Sequence, residues 1–309
     1  MEKKQSEWAT SMPFKEQLVV IKRLFAYAKP FKMTFIIAIG FALVLATINV
    51  LMPRILQTLI DRYLTTQSAT LQIILFFAML YLLGTILKAV IWFFQWFLYS
   101  NASLQSYQHI RVKLFEKLHT LGMRYFDQTP AGSVVSRVSN DTETLFEFWH
   151  VFLTVLTGIF AVVSSFIAMF QINQKIALLI LAFLPILGFV IWYYQSFSSR
   201  VYRQMREKLS QLNTKLNESI SGMQIIQQFR QERRFMKEFE ETNDEYLATR
   251  YAMIKMNSLL LGPIISLLYT FALAVVLTAF GFNAMQSPVE VGLIFAFTTY
   301  VQTFFRSEE

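Results

Sequence analysis

Residues 33–53 read MTFIIAIGFALVLATINVLMP and contain no Asp, Glu, Lys or Arg. The apolar core of a bilayer is about 30 Å thick, so a helix that spans it needs roughly 20 apolar residues in a row. Backbone groups inside lipid have no water to bond to and must bond to one another, which favours a helix over an isolated strand. The stretch therefore predicts a transmembrane helix near the start of the chain.

The same composition recurs along the 309 residues, of which 55% are hydrophobic. Residues 63–87, 148–174, 176–199 and 256–289 are also free of Asp, Glu, Lys and Arg. We therefore predict an all-α membrane protein with six transmembrane helices and long cytoplasmic helical extensions. The predicted spans are residues 33–58, 71–99, 148–171, 176–197, 258–283 and 289–305.

The net charge of +8 is unevenly distributed. Lys and Arg are concentrated before residue 33, between 111 and 137, and between 200 and 255, while the alternate connections hold few. This alternation follows the positive-inside rule. It predicts a cytoplasmic N-terminus at 1–32 and two cytoplasmic inner segments at about 100–147 and 198–257. It also argues against nucleic acid as a partner.

The sequence contains no Cys, which excludes both a disulfide framework and a thiolate metal site. The three histidines, His109, His119 and His150, show no metal-ligand spacing, so we predict no metal site. The first 32 residues are polar and basic rather than apolar, and we therefore predict no cleavable signal. We expect a multi-pass protein of the plasma membrane.

Residues 14–30 form a candidate interfacial helix. Leu18, Ile21, Phe25 and Ala28 recur at helical spacing, with basic side chains on the other faces. An amphipathic helix of this kind lies along the membrane surface. An ordinary first turn before the first span is the alternative.

The two inner segments keep a helical pattern of apolar residues over 102–121 and 209–229. We therefore expect the spanning helices to continue beyond the membrane. At 1.5 Å per residue, forty residues reach about 60 Å, or about 30 Å when folded into a hairpin. Paired helical arms of this length suit a protein that contacts something well below the bilayer.

Each inner segment also contains a cluster of candidate functional residues. In the first segment the residues are Tyr125, Phe126, Asp127, Gly132, Arg137 and Asp141. A helix break is predicted there, with Thr129 as a cap and Pro130 in the first position of the next helix. In the second segment the residues are Glu218, Gly222, Ile226, Phe229 and Glu232. Gly222 permits a bend or a close approach.

At these residues the sequence resembles the transmembrane half of ATP-binding cassette (ABC) exporters of the bacterial multidrug or lipid type. The family typically shows an aromatic-Phe-Asp run, then Gly, Arg and Asp, at the spacings found from Tyr125 to Asp141. It also shows the Glu, Gly, Ile, Phe and Glu pattern found from Glu218 to Glu232. Residues 287–292, SPVEVG, look like the family's usual entry into the sixth span. The resemblance covers nearly the whole chain.

The resemblance implies a role for both clusters. In the family each inner loop ends in a short coupling helix, here around Met123–Thr129 and Ser219–Phe229, that docks on a nucleotide-binding domain and transmits ATP-driven motion. It implies as partners membrane lipid, a second transmembrane half, nucleotide-binding domains and a hydrophobic small-molecule, lipid or peptide substrate. ATP and Mg would bind to the nucleotide-binding domain. We assign no cofactor and no catalytic residue to this chain.

Several of these residues also have ordinary structural interpretations. Tyr125 and Phe126 could pack between the chain's own helices instead of docking on a partner. Arg137 and Asp141 stand at i and i+4, so they could form a local helix ion pair. Glu218 could lie on a solvated face.

Lys88 is a charged residue inside a predicted span, and such residues are candidates for function. It could contact substrate, face a wet cavity or extend towards the membrane surface. Aromatic side chains could line a cavity through apolar and cation–π contacts, although helix packing or lipid contact is the alternative for each. The candidate cavity residues are Lys88, Trp92, Trp96, Phe297 and Tyr300. Pro185 and Pro263 predict kinks within spans.

The 309 residues contain no G-x-x-x-x-G-K-[ST] run, so no P-loop is present to hold ATP phosphates. Family members usually carry a nucleotide-binding domain fused after the sixth span. Here the uncharged residues 291–305 would form a helix of only about 22 Å, followed by 306–309. We therefore expect a chain cut off within that helix, as in a frameshifted gene product, a gene fragment or a shortened chain.

Two hypotheses follow. The chain is the membrane half of an ATP-driven exporter, or it is a truncated, non-transporting fragment that at most pairs with a full-length partner. A membrane-embedded enzyme or channel is disfavoured, because the spans lack paired carboxylates, a His cluster or a nucleophile–base arrangement. We expect the chain alone to be no enzyme. The sequence leaves homodimer and heterodimer open.

Overall fold

The computed structural model describes residues 14–286 and 289–306, and all regular structure within them is helical. The eleven α-helices in this part are α1 (Phe14–Ala28), α2 (Lys32–Leu59), α3 (Leu71–His119), α4 (Met123–Gln128), α5 (Ala131–Ile172), α6 (Gln174–Leu181), α7 (Phe183–Ser221), α8 (Met223–Gln228), α9 (Glu232–Met256), α10 (Gly262–Gln286) and α11 (Val291–Arg306). The predicted all-α class is confirmed. The predictions for residues 1–13, for Ser287 and Pro288, and for 307–309 lie outside the described residues.

Five helical segments are long and apolar enough to cross a membrane. They are Leu18–Leu64, Leu71–His119, Ala131–Ile172, Gln174–Ser221 and Glu232–Met285. A shorter apolar helix, Val291–Phe305, corresponds to the predicted sixth span. The helices extend well past the apolar windows, as expected: α3 continues from the predicted span end at position 99 to His119.

Side chains cap the helices that begin after two of the predicted outer connections. The Thr70 hydroxyl accepts a hydrogen bond from the Ile73 amide at 3.4 Å, and α3 begins at Leu71. The Asn173 side-chain oxygen accepts one from the Ile176 amide at 3.2 Å, before α6. Both residue types satisfy helical amides that have no partner within the helix, which is why they are favoured at this position.

The two prolines predicted to kink the spans coincide with helix interruptions. Pro185 has no N–H to donate to the carbonyl four residues earlier, and its ring crowds that carbonyl. The break between α6 and α7, at Ala182, lies just before it. Pro263 follows a π-helical turn, Asn257–Leu261, which separates α9 from α10. A second π-helical turn, Ile60–Leu64, ends α2.

The chain divides into two compact units. The first contains residues 1–165, 291–296 and 307–309. The second contains residues 166–290 and 297–306. The units are described separately below.

The core of the first unit joins α1, α2, α3 and α5. Its buried residues are Ala28, Phe35, Ala38, Tyr99, Ala102, Trp149 and Leu153. The Tyr99 hydroxyl donates a hydrogen bond to the Trp149 carbonyl at 2.8 Å. The Phe35 ring lies 5.2 Å from the Tyr99 ring and 4.8 Å from the Trp149 ring, centroid to centroid. This contact therefore joins α2, α3 and α5.

Helix α1 contributes Ala28 to this core and also contacts it through the Phe25 ring. The Phe25 ring makes edge contacts with the rings of Trp149 and Phe152, each at 5.3 Å. Other apolar side chains of α1, including Leu18 and Val19, are exposed. The predicted helix over 14–30 is therefore present as 14–28, with an apolar surface left open. Its placement on the membrane surface stays a prediction.

The second unit contains a long pair formed by α7 and α9. Val201, Met205 and Leu212 are buried along α7, and Thr242 is buried on α9. Further along, aromatic rings bring α10 and α11 together, with Phe280 and Phe297 5.2 Å apart. The pair of α7 and α9 corresponds to the predicted second inner segment.

We predict that Tyr99→Phe destabilises the chain by about 1 kcal/mol, because it removes a buried side-chain hydrogen bond between α3 and α5. Thermal unfolding of the purified protein in detergent, followed by tryptophan fluorescence, measures the change. Tyr107→Phe on the same helix is the matched control, since its hydroxyl forms no hydrogen bond within the described residues. Equal unfolding temperatures for the two variants would contradict the prediction.

Candidate functional site

The first inner turn is built around the short helix α4. Gly122 has an extended backbone conformation between the end of α3 and the start of α4. Helix α4 ends at Gln128, and α5 begins at Ala131. The Pro130 carbonyl accepts hydrogen bonds from the amides of Ser133 and Val134. The predicted break is therefore present, and the new helix begins one residue later than expected.

Arg137, on α5, is hydrogen-bonded to this turn. Its guanidinium donates a hydrogen bond to the Tyr125 hydroxyl at 3.1 Å. Among the described residues no ion pair joins Arg137 to Asp141, so the local ion pair considered from the i, i+4 spacing is not formed. Tyr125 is consequently half-buried and held by its own chain. A docking role for Tyr125 stays a prediction.

The exposed apolar residues of the first turn are its neighbours. Met123 is 73% exposed and Phe126 is also exposed, with its ring at right angles to that of Tyr125. Asp127, Gly132 and Asp141 are exposed as well. A Cβ at Gly132 would meet no atom within 4 Å, so space does not require glycine there.

A second contact ties together the two helices that carry the first turn. Arg111 on α3 donates a hydrogen bond from its Nε to the Val138 carbonyl on α5, at 3.2 Å. The guanidinium also lies over the Tyr107 ring. This contact therefore joins α3 to α5 behind the first turn.

The second inner turn begins at Gly222, where α7 ends. The Gly222 amide donates to the Glu218 carbonyl at 2.8 Å. A Cβ on Gly222 would lie 3.0 Å from that carbonyl oxygen, so a larger residue would push the turn apart. The close approach predicted for this glycine is thus present, although its backbone is right-handed rather than left-handed.

The other end of α8 is closed by a Schellman motif. The Gln231 amide donates to the Ile226 carbonyl at 2.9 Å, and the Arg230 amide donates to the Gln227 carbonyl at 3.1 Å. Arg230 has a φ of +51°, a left-handed conformation that usually falls to glycine. The carbonyls at the end of α8 are therefore satisfied within the chain, and the turn holds its shape.

The second turn also presents apolar residues outward. Phe229 is 68% exposed, Ile225 is 63% exposed, and Ile220 is exposed too. Ile226 is only 6% exposed and packs inward, so it supports the turn instead of contacting a partner. Glu218 and Glu232 are exposed and form no ion pair within the described part of the chain.

Polar contacts hold α7 against α9 behind this turn. Lys215 donates to the Glu238 carbonyl at 2.8 Å, and Lys208 bonds the Glu245 carboxylate at 2.6 Å. The Lys208 ammonium holds the pKa of the Glu245 carboxyl below its usual value through this hydrogen bond and its charge. Glu245 is therefore ionised at neutral pH. The stabilisation it contributes is lost only as the pH falls through that lowered pKa.

The predicted cavity residues fall into three different environments. Trp92 and Trp96 line a cavity in the first unit, between α2, α3 and α5. Lys88, on the same helix α3, is exposed and does not line it. Phe297 and Tyr300 are buried residues of the second unit. Substrate contact stays a prediction for all five.

Asp61 is a functional candidate that the sequence analysis missed. It lies in the π-helical turn at the end of α2, and its carboxylate accepts a hydrogen bond from the Gly292 amide, in the first turn of α11, at 2.6 Å. A negative charge at a helix N-terminus is stabilising. A Cβ on Gly292 would lie 2.6 Å from the Gln57 carbonyl oxygen. The charged residue after an apolar span was the only signal available in the sequence.

Comparison with known proteins decides the family. Residues 35–307 match the family described as the ABC transporter transmembrane region. The chain belongs to this family. The exporter-type motifs quoted from both inner segments therefore lie in an ABC transmembrane region, and the resemblance drawn from them is confirmed at the level of the family.

Several relatives of this ABC transmembrane region are named as ATP-binding transporter proteins. A Streptococcus pneumoniae protein named as an ABC transporter ATP-binding protein, exp8, is 33% identical over 94% of the chain and 49% of the relative. The multidrug resistance-like ATP-binding protein MdlB of Buchnera aphidicola is 32% identical over 91% and 49%. A Bacillus subtilis multidrug resistance ABC transporter ATP-binding/permease protein, YheH, is 32% identical over 64% and 30%. The chain spans about half the length of the first two.

We predict that Gly292→Ala destabilises the ABC transmembrane region by about 1–3 kcal/mol, because the new methyl group overlaps the Gln57 carbonyl and the Asp61 carboxylate. Thermal unfolding in detergent measures the loss. The control is Gly40→Ala within α2, where a Cβ meets nothing within 4 Å and alanine favours the helix. The prediction fails if the two variants unfold at the same temperature.

Proposed function

We propose that this ABC transmembrane region is the membrane half of an ATP-driven exporter of hydrophobic compounds. It would act with a second transmembrane half and with nucleotide-binding domains. Relatives named for multidrug resistance support the export of hydrophobic compounds. The substrate, and the choice between a homodimer and a heterodimer, are left open by this proposal.

The observation that carries the proposal is the pair of short helices with exposed apolar residues. Helix α4 presents Met123 and Phe126, while α8 presents Ile225 and is followed by Phe229. In each turn, a residue near the exposed ones is held in place by the chain itself. In the first turn Tyr125 is hydrogen-bonded to Arg137, and in the second turn Ile226 is buried. Exposed apolar groups on a rigid base are typical of protein docking surfaces.

The arms behind these turns suit the transmission of force. From position 99 to His119, α3 extends by about 30 Å at 1.5 Å per residue. The Arg111 contact joins α3 to α5, and the contacts of Lys215 and Lys208 join α7 to α9. In the second unit, regular α-helix is interrupted at Ala182, just before α7, and at the π-helical turn 257–261, between α9 and α10. Bending at such points would convert motion of the arms into motion of the spans.

We assign ATP and Mg²⁺ to the nucleotide-binding domains. The P-loop backbone that cradles ATP phosphates needs a Gly-rich run that these 309 residues do not contain. Among the described residues no group of three or more His, Asp or Glu side chains is placed to hold a metal ion. The residues of this chain therefore do not fit a nucleotide site, and its part in the cycle would be mechanical.

The proposal places the N-terminus and both inner turns in the cytoplasm of a cell whose plasma membrane holds the protein. The basic residues of the inner segments support this orientation. The connection at 65–70, between α2 and α3, would then face outward.

The absence of Cys from the sequence makes this topology directly testable. We expect Gln67→Cys to react with a membrane-impermeant maleimide in intact cells, because that exposed residue lies in the outer connection. Met123→Cys and Met223→Cys should react only in inside-out vesicles. Reaction of the two methionine variants from opposite sides of the membrane would overturn the topology and the transporter assignment with it.

We predict that Phe229→Asp weakens docking of an ATP-binding partner by about tenfold or more, since a charge would replace an apolar anchor. The full chain is co-expressed with the part of the pneumococcal relative that it does not match, which we propose to contain the ATP site. The amount of partner that co-purifies, and its ATP turnover, are measured.

Val112→Asp provides the matched control, because Val112 is also apolar and exposed but lies on α3 away from the turns. It should leave co-purification unchanged. Equal loss in both variants would mean that general surface charge, and not the turn, is responsible. A wild-type chain that retains no partner would contradict the proposed coupling.

A further inference from the structure

A cavity of about 220 Å³ lies within the first unit, between α2, α3 and α5. Its walls are partly apolar: Ala42, Leu45, Ala46, Leu153, Ala161 and the rings of Trp92 and Trp96. Asn49, Gln95, Thr154 and Thr157 add polar groups. Every lining residue belongs to the first unit, so the cavity is complete within one chain.

Neither amide side chain of this cavity forms a hydrogen bond with the described residues. Gln95 is only 3% exposed and lines the cavity, yet its amide forms no hydrogen bond within the part of the chain that the structure describes. Asn49, half-buried on α2, likewise has none among the described residues. An amide without a hydrogen bond in an apolar environment costs free energy, and both residues lie in predicted spans. Such groups normally meet a partner, and here the side open to one is the cavity.

We propose that the cavity binds an uncharged, chain-like amphiphile, with an alcohol or amide head hydrogen-bonded to Gln95. This deepens the proposed export function and rests on it, by naming a class of compound. The site differs from one formed between two transmembrane halves, because each chain would hold its own ligand.

The uncharged lining of the cavity favours a ligand with an uncharged head group. No Asp, Glu, Lys or Arg lines the cavity, so a carboxylate or an ammonium would lose its hydration without gaining a counter-ion. The Gln95 amide offers both a donor and an acceptor. The Thr157 hydroxyl already donates to the Leu153 carbonyl at 2.9 Å, and it retains acceptor capacity. A neutral group that both donates and accepts is the best match.

The length of the cavity favours a ligand with an elongated apolar tail. One cluster brings together three residues from different helices, Phe35, Tyr99 and Trp149. These residues therefore lie at the same height along their helices. At 1.5 Å of rise per residue, Gln95 lies about 6 Å along α3 from Tyr99. Asn49 lies about 21 Å along α2 from Phe35. The lining residues therefore extend along about 15 Å of helix, which suits an elongated tail.

The entrance is marked by the two tryptophans. Trp92 and Trp96 are both substantially exposed, whereas Ala42 and Leu153 deeper in the cavity are buried. Tryptophan is favoured where one end of a ring is apolar and the other is wet. An amphiphile dissolved in the bilayer could therefore enter sideways past these rings.

The test uses the full 309-residue chain in nanodiscs, with a decanol that carries a photoreactive diazirine midway along its chain. After illumination, peptide mass spectrometry locates the labelled residues, and unlabelled decanol is added as competitor. We expect labelling of cavity residues such as Leu45 and Leu153 that decanol competes away. Labelling by alkanol dissolved in the lipid should not saturate.

Gln95→Leu keeps the volume of the side chain and removes its amide, so we expect at least about tenfold weaker saturable labelling, the effect of one lost hydrogen bond. Gln105→Leu, an exposed position on the same helix, is the matched control and should label as the wild type does. The corresponding diazirine decanoate should give no saturable labelling at neutral pH. If Gln95→Leu does not fold, Gln95→Met, which also removes the amide, serves in its place and is expected to weaken labelling as well.

Three outcomes would overturn the inference: no saturable labelling of the wild type, as for a cavity that holds only water; equal labelling of wild type and Gln95→Leu; or equal labelling by decanoate. All measurements are made without ATP or a partner. A failure here leaves the docking experiment on Phe229 unaffected. A loss of docking would leave the binding result unchanged, so the two claims can fail separately.

Discussion

The constraint on which this structure depends is the absence of water from the bilayer interior. Backbone N–H and C=O groups there must bond within the chain, and a helix achieves this in one segment without a neighbour. Long helices follow, and the described residues contain no other regular structure. Where proline removes a donor, the helix responds locally, with the break before Pro185 and the π-helical turn before Pro263.

The same helices continue as paired arms beyond the apolar region. Their arms have few buried apolar residues, so specific polar contacts keep them paired: Arg111 to the Val138 carbonyl in the first unit, and Lys208 to Glu245 in the second. At the ends of the arms each short helix is closed by the chain's own hydrogen bonds, which leaves Phe126 and Phe229 free to face outward. In a docking surface, some residues stabilise the conformation of the turn and others contact the partner protein.

The site could be predicted only in part because a motif does not distinguish these two kinds of residue. Tyr125 and Phe126 are adjacent in the same motif, yet Tyr125 is held by Arg137 and Phe126 is exposed. Ile226 and Phe229 differ in the same way. The spacing of Arg137 and Asp141 suggested an ion pair, but a tyrosine hydroxyl twelve residues earlier in the chain offered the guanidinium a partner instead. Side-chain partners from another helix are invisible to local spacing.

The sequence by itself determined the helical class, the approximate positions of the spans, the arms beyond them and the family, because hydrophobic length and helical period are local properties of the chain. Only the tertiary structure decided that Asp61 bonds the Gly292 amide from 231 positions away, and that Asn49 and Gln95 line one cavity. These pairings depend on how α2 meets α3, α5 and α11. Helix packing is a property of whole surfaces, which residues distant in sequence form together.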